Sequence, residues 1–128
     1  MSLKSKKSWV VVGAILGAVG VAMGAFGAHA LEDILTDHYK EVYETASKYM
    51  LVHAVLITSL GLHSSKEIPK SMMYMFVVGV CIFSCTLWVL AVTQIKWLGA
   101  ITPIGGVLLI LGWIRLAWWG KNEYSELS

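Results

Sequence analysis

Apolar residues run almost unbroken through four stretches of the chain, and polar residues gather between them. The first run extends from Ser8 to Leu31 behind Lys4, Lys6 and Lys7. A basic start, an apolar stretch and Ala28-His29-Ala30 also resemble a secretory signal with its cleavage site, but the run exceeds the roughly 7–15 residues of a signal core, so a retained first helix is expected. The second run is the least apolar. Its uninterrupted part, Tyr49 to Leu62, is 14 residues long, short of the roughly 20 that a spanning helix needs. Residues 43–49 must therefore supply the outer turns and bring Glu44 and Lys48 with them. The third run, Ser71 to Thr93, and the fourth, Trp97 to Trp119, are 23 residues each and long enough alone. The pattern predicts an all-α protein, a four-helix transmembrane bundle with helices near 8–31, 43–62, 71–93 and 97–119 in one membrane domain, 1–128.

The connections read as a polar loop from Leu31 to Val42 with a short amphipathic turn, a second from His63 to Lys70 containing Pro69, and a tight hairpin at Gln94 to Lys96. Four helices put both termini on one side. That side carries Lys4, Lys6, Lys7, Lys66, Lys70, Arg115 and Lys121, against Lys40, Lys48 and Lys96 opposite, and the excess predicts cytoplasmic termini. Trp97, Trp118 and Trp119 read as interfacial anchors, with Arg115 snorkelling toward headgroups beside the last two. The far loop is acidic, with Glu32, Asp33, Asp37, Glu41 and Glu44.

Composition sharpens this picture. Of 128 residues 57% are hydrophobic and 14% charged, about half the charge of an ordinary soluble chain. The net charge of +2 comes from scattered lysines, which form no basic stripe for nucleic-acid phosphates. Cys81 and Cys85, four residues apart in an apolar run, read as small buried hydrophobes rather than a disulfide or metal pair.

The first helix carries the strongest packing signal. Gly13, Gly17, Gly20, Gly24 and Gly27 fall within an arc of roughly 80°. Such a face lets backbones approach closely in lipid, either within the chain or between subunits. Ala14, Ala18 and Ala25 form a neighbouring small stripe. In the fourth helix Pro103, Gly105 and Gly106 predict a kink that serves packing or exposes carbonyls.

Chemistry would have to come from a few polar side chains. His53 lies near the middle of helix two, where an ionisable group is costly, and it shares a face with Tyr49. Its ring either titrates or binds, or bonds as a neutral imidazole to a neighbouring helix. Glu44 and Lys48 have i to i+4 spacing for an ion pair and fall on roughly the opposite side of the helix. His29 sits at the outer end of helix one, opposite the glycines. The candidate polar site is thus His53, Tyr49, His29, Glu44 and Thr102. The histidines lie at different depths, so neither a haem nor a metal site is evident, and no cofactor is expected. No nucleophile with its base, phosphate loop or carboxylate pair is present, so no enzyme is expected.

The segments GAFGAHAL at Gly24 to Leu31, TASKYMLVHA at Thr45 to Ala54, IFSCTLW at Ile82 to Trp88, ITPIGG at Ile101 to Gly106 and LGW at Leu111 to Trp113 occur in one order. Together they resemble the YgdD/YwdK family of small multi-pass membrane proteins, and also a small animal transmembrane protein, over nearly the whole chain. The resemblance implies four membrane helices, an uncharacterised function and no catalytic or cofactor residues to transfer. Its motif positions here are Gly24, Gly27, His29, Tyr49, His53, Phe83, Ser84, Leu87, Thr102, Pro103, Gly105 and Gly106. Tyr49-Met50 stands where many bacterial members resemble a Tyr-Gln pair, and Cys85-Thr86 where they usually have Gly-Ser.

Two functions remain in view. The first is a non-enzymatic packing or assembly component in the bilayer, forming homo-oligomers or joining a larger membrane complex. The alternative is a proton, ion or small-molecule pathway lined by helix-two polar residues. The expected location is a cell membrane, a bacterial inner membrane before an organellar one.

Overall fold

The computed structural model describes residues 3–63 and 67–124, and the chain folds as four α-helices: α1 Leu3–His29, α2 Asp37–Leu62, α3 Lys70–Thr93 and α4 Leu98–Tyr124. Each is long and apolar enough to cross a membrane. Lys66, counted above on the basic side, lies outside the described residues.

Helix ends depart from the apolar runs for local reasons. α2 begins at Asp37 rather than 43 because Thr36 caps it from extended backbone. The Thr36 hydroxyl accepts a hydrogen bond from the Tyr39 amide at 3.4 Å, and Asp37 sits in the first turn, where the helix dipole favours a carboxylate. Residues 37–42, the second half of the stretch read as loop, are therefore helical, and α2 reaches 26 residues. Before it, the amides of Ile34 and Leu35 bond to the Leu31 carbonyl, tucking the buried Leu31 and Leu35 under the connection. α1 starts at Leu3 and takes the first lysines into its opening turn, while α4 continues five residues past Trp119 to Tyr124. α3 stops where Gln94 adopts left-handed backbone at φ 59° and its amide closes on the Leu90 carbonyl at 2.7 Å.

Consecutive helices pack: α1 on α2, α2 on α3 and α3 on α4. α1 and α4 share no packed interface among the described residues, so α2 and α3 are the inner pair. Their buried positions recur at three and four residues, as in Met50, His53, Ala54 and Ile57 of α2 and Met72, Met73, Phe76 and Val80 of α3. The outer surfaces of α1 and α4 display Val11, Ile15, Val19, Val107, Ile110 and Ile114, an apolar coat suited to lipid.

Glycines set two of the three interfaces. The α1 seam lies entirely along α2. A Cβ at Gly20 would come within 2.9 Å of Leu51 Cδ2, one at Gly13 would collide with Thr58, and one at Gly27 with the Tyr43 ring. Between α3 and α4 the approach is closer still: a Cβ at Gly105 would lie 2.5 Å from the Phe83 amide nitrogen and 2.7 Å from the Gly79 carbonyl oxygen. α4 runs through Pro103 as one helix, and the Thr102–Gly106 segment serves this contact.

Two other expectations change. Trp97 and Trp118 are exposed as interfacial anchors should be, but Trp119 is buried, its ring edge-on to His63 at 5.7 Å between centroids. Cys81 is half-buried and Cys85 exposed, so only the former is even partly a core residue.

Candidate functional site

Polar side chains inside an apolar bundle must find partners, because lipid offers none. Here they find them on neighbouring helices. The Tyr43 hydroxyl of α2 donates to the Met23 carbonyl of α1 at 2.7 Å. Ser47 accepts from Trp88 Nε1 of α3 at 3.0 Å while donating to the Tyr43 carbonyl. Ser84 of α3 donates to the Ala46 carbonyl of α2 at 2.8 Å. Thr86 of α3 and Thr102 of α4 meet hydroxyl to hydroxyl at 2.7 Å. Every packed pair of helices is thus pinned by at least one side-chain hydrogen bond.

His53 makes a further pin. It is buried, and Trp113 Nε1 of α4 donates to its Nε2 at 3.0 Å, while its Nδ1 lies 2.8 Å from the Tyr49 carbonyl. An indole N–H can only donate, so Nε2 must hold a lone pair and Nδ1 must carry the proton that goes to Tyr49. Both ring nitrogens are therefore satisfied in a neutral imidazole. Phe76 and Trp113 close around it, with centroids at 6.1 and 5.8 Å, and Tyr49 lies at 6.1 Å from the ring. This links α2 to α4, which share no extensive packed interface among the described residues.

The five candidate residues do not converge. His53 and Tyr49 are neighbours, although Tyr49 is exposed and leans on Phe83 at 4.5 Å. Thr102 is buried between α3 and α4 with Thr86. His29 is exposed at the last residue of α1. Glu44 and Lys48 are both exposed and make no ion pair with each other. Glu44 instead borders a cleft of about 320 Å³ at the far end from the termini, together with Glu32, Lys40, Tyr43 and Ser47 over the Gly24 and Gly27 backbone. Arg115 is half-buried, and its Nε is enclosed with no acceptor. Among the described residues no three His, Cys, Asp or Glu side chains group as metal ligands.

Ser47, Ser84, Trp88 and Trp113 were not singled out as polar-site residues from the sequence. Ser47 and Ser84 had a usable signal, since each is a small donor inside an apolar run. The indoles were visible only as the last residues of two motifs, because a tryptophan in an apolar run reads equally as an anchor.

Residues 23–106 match the family described as protein of unknown function (DUF423). The chain is 41% identical over 112 residues to a UPF0382 membrane protein of Staphylococcus aureus, covering 86% of this chain and 92% of that one. It is 42% identical over 113 residues to a UPF0382 membrane protein of Staphylococcus epidermidis, with the same coverage. The UPF0382 membrane protein YwdK of Bacillus subtilis is 38% identical over 115 residues, covering 86% of this chain and 93% of the relative. No solved structure matches the chain.

Proposed function

This chain belongs to the DUF423 family of multi-pass membrane proteins, as its matches over most of its length require, and we propose that it works there as a non-enzymatic structural subunit that assembles with further copies or joins a larger membrane complex. One observation carries the reading: the buried Ser47, His53, Ser84 and Thr102 are all bonded within the bundle, while α1 leaves a small-residue face to the lipid. The glycine seam is largely taken up by α2, which a Cβ at Gly13, Gly20 or Gly27 would strike. Ala14, Ala18 and Ala25 are exposed beside it and suit close approach of another helix.

Purified in mild detergent, the wild type is expected to scatter light as a multiple of its 14.0 kDa chain mass or with a co-purifying partner. Ala18→Leu, which adds bulk on the exposed stripe, is expected to shift it to monomer with unchanged helicity. A strict wild-type monomer without a partner would contradict the proposal.

The pathway alternative has less support. Its central residue is enclosed by Phe76 and Trp113 and fully bonded, and the cleft that Glu44 borders does not include His53.

A further inference from the structure

A second cleft opens at the end of the bundle that carries the termini. It holds about 350 Å³ between α1 and α3 and is lined by Ser8, Trp9, Val12, Lys70, Tyr74 and Val77, a volume in the range of small-ligand sites. α1 and α3 are not sequential neighbours in the packing, and at this level they meet through Trp9 and Tyr74, edge to face at 5.2 Å. The wedge between them stays open toward the lipid. Its lining is graded along the helices. Val12 and Val77 lie toward the membrane interior, whereas Ser8, Lys70 and the exposed Tyr74 border the mouth.

The mouth is cationic. Lys70 opens α3, whose N-terminus follows Pro69 and has no side-chain cap, so its first amides add partial positive charge. Lys6 lies two residues before Ser8 on α1, close enough to Glu67 to act on it. Glu67 lies near Lys70 and Lys6 and competes for them, but the two lysines outnumber it.

We propose that this cleft binds one anionic phospholipid, its phosphodiester held at the mouth by Lys70 and the α3 N-terminus and one acyl chain lying along Val12 and Val77. Cationic headgroup contacts above an apolar floor match that ligand at both ends, whereas a soluble anion uses only the mouth and an uncharged lipid only the floor. The proposal is independent of how the protein assembles.

Native mass spectrometry of detergent-purified protein mixed with equal amounts of phosphatidylglycerol and phosphatidylcholine tests it. Wild type is expected to retain phosphatidylglycerol preferentially. Lys70→Gln should weaken retention about fivefold, and Val77→Trp, which fills the floor without altering charge, should also lower it. Lys96→Gln at the opposite end should leave it unchanged. Equal retention of the two lipids, competition by millimolar inorganic phosphate alone, or Val77→Trp retaining phosphatidylglycerol like wild type would overturn the assignment.

Discussion

Gly105→Ala is expected to destabilise the bundle by about 2–3 kcal/mol, read as SDS-induced unfolding in mixed micelles. The new methyl would sit 2.5 Å from the Phe83 amide nitrogen and 2.7 Å from the Gly79 carbonyl oxygen. Both obstacles are backbone, so relief requires α3 and α4 to separate rather than a rotamer to change. Separation also stretches the Thr86–Thr102 hydroxyl contact beside it. The neighbouring Gly106→Ala is the control, since its Cβ would meet the Phe83 ring at 3.7 Å, an ordinary contact. Gly120→Ala, with nothing within 4 Å, is a second. Both are expected within about 0.5 kcal/mol of wild type. Equal behaviour of Gly105→Ala and Gly106→Ala would mean that α3 and α4 do not approach so closely in lipid.

The second large effect concerns His53 and Trp113. Trp113→Phe leaves a buried Nε2 without a donor, and His53→Leu leaves an indole N–H without an acceptor, so each is expected to cost about 1–2 kcal/mol. The double mutant removes both halves of the bond and should be more stable than the sum of the singles implies, by about 1 kcal/mol. Strict additivity in the same unfolding assay would show that the bond is not made.

Much of the architecture was legible because the bilayer imposes a length and a polarity on each helix. The four runs, their order and the tight turn after α3 followed from Ser8–Leu31, Tyr49–Leu62, Ser71–Thr93 and Trp97–Trp119 alone. Missing was the start of α2, where Thr36 and Asp37 are a helix cap and first turn that a hydropathy reading assigns to loop. The site was less legible. The facing of Tyr49 and His53 followed from helical spacing, but partners on other helices depend on interhelical register, which no local pattern contains. Trp113 and His53 are sixty residues apart in sequence. The glycine seam was visible as a packing face, whereas its choice of α2 over another subunit needed the Leu51, Thr58 and Tyr43 contacts.

The central claim is that the buried polar residues hold helices together and do no chemistry of their own, and His53 is where it is most exposed to failure. Solid-state 15N NMR of the labelled His53 ring in lipid vesicles reads its two nitrogens separately. The expected spectrum at neutral pH has the proton on Nδ1, Nε2 as a bare acceptor bonded to the Trp113 indole, and no magnetisation transfer from water. A proton on Nε2, or a strong water contact at either nitrogen, would place His53 in a wet cavity and contradict the claim.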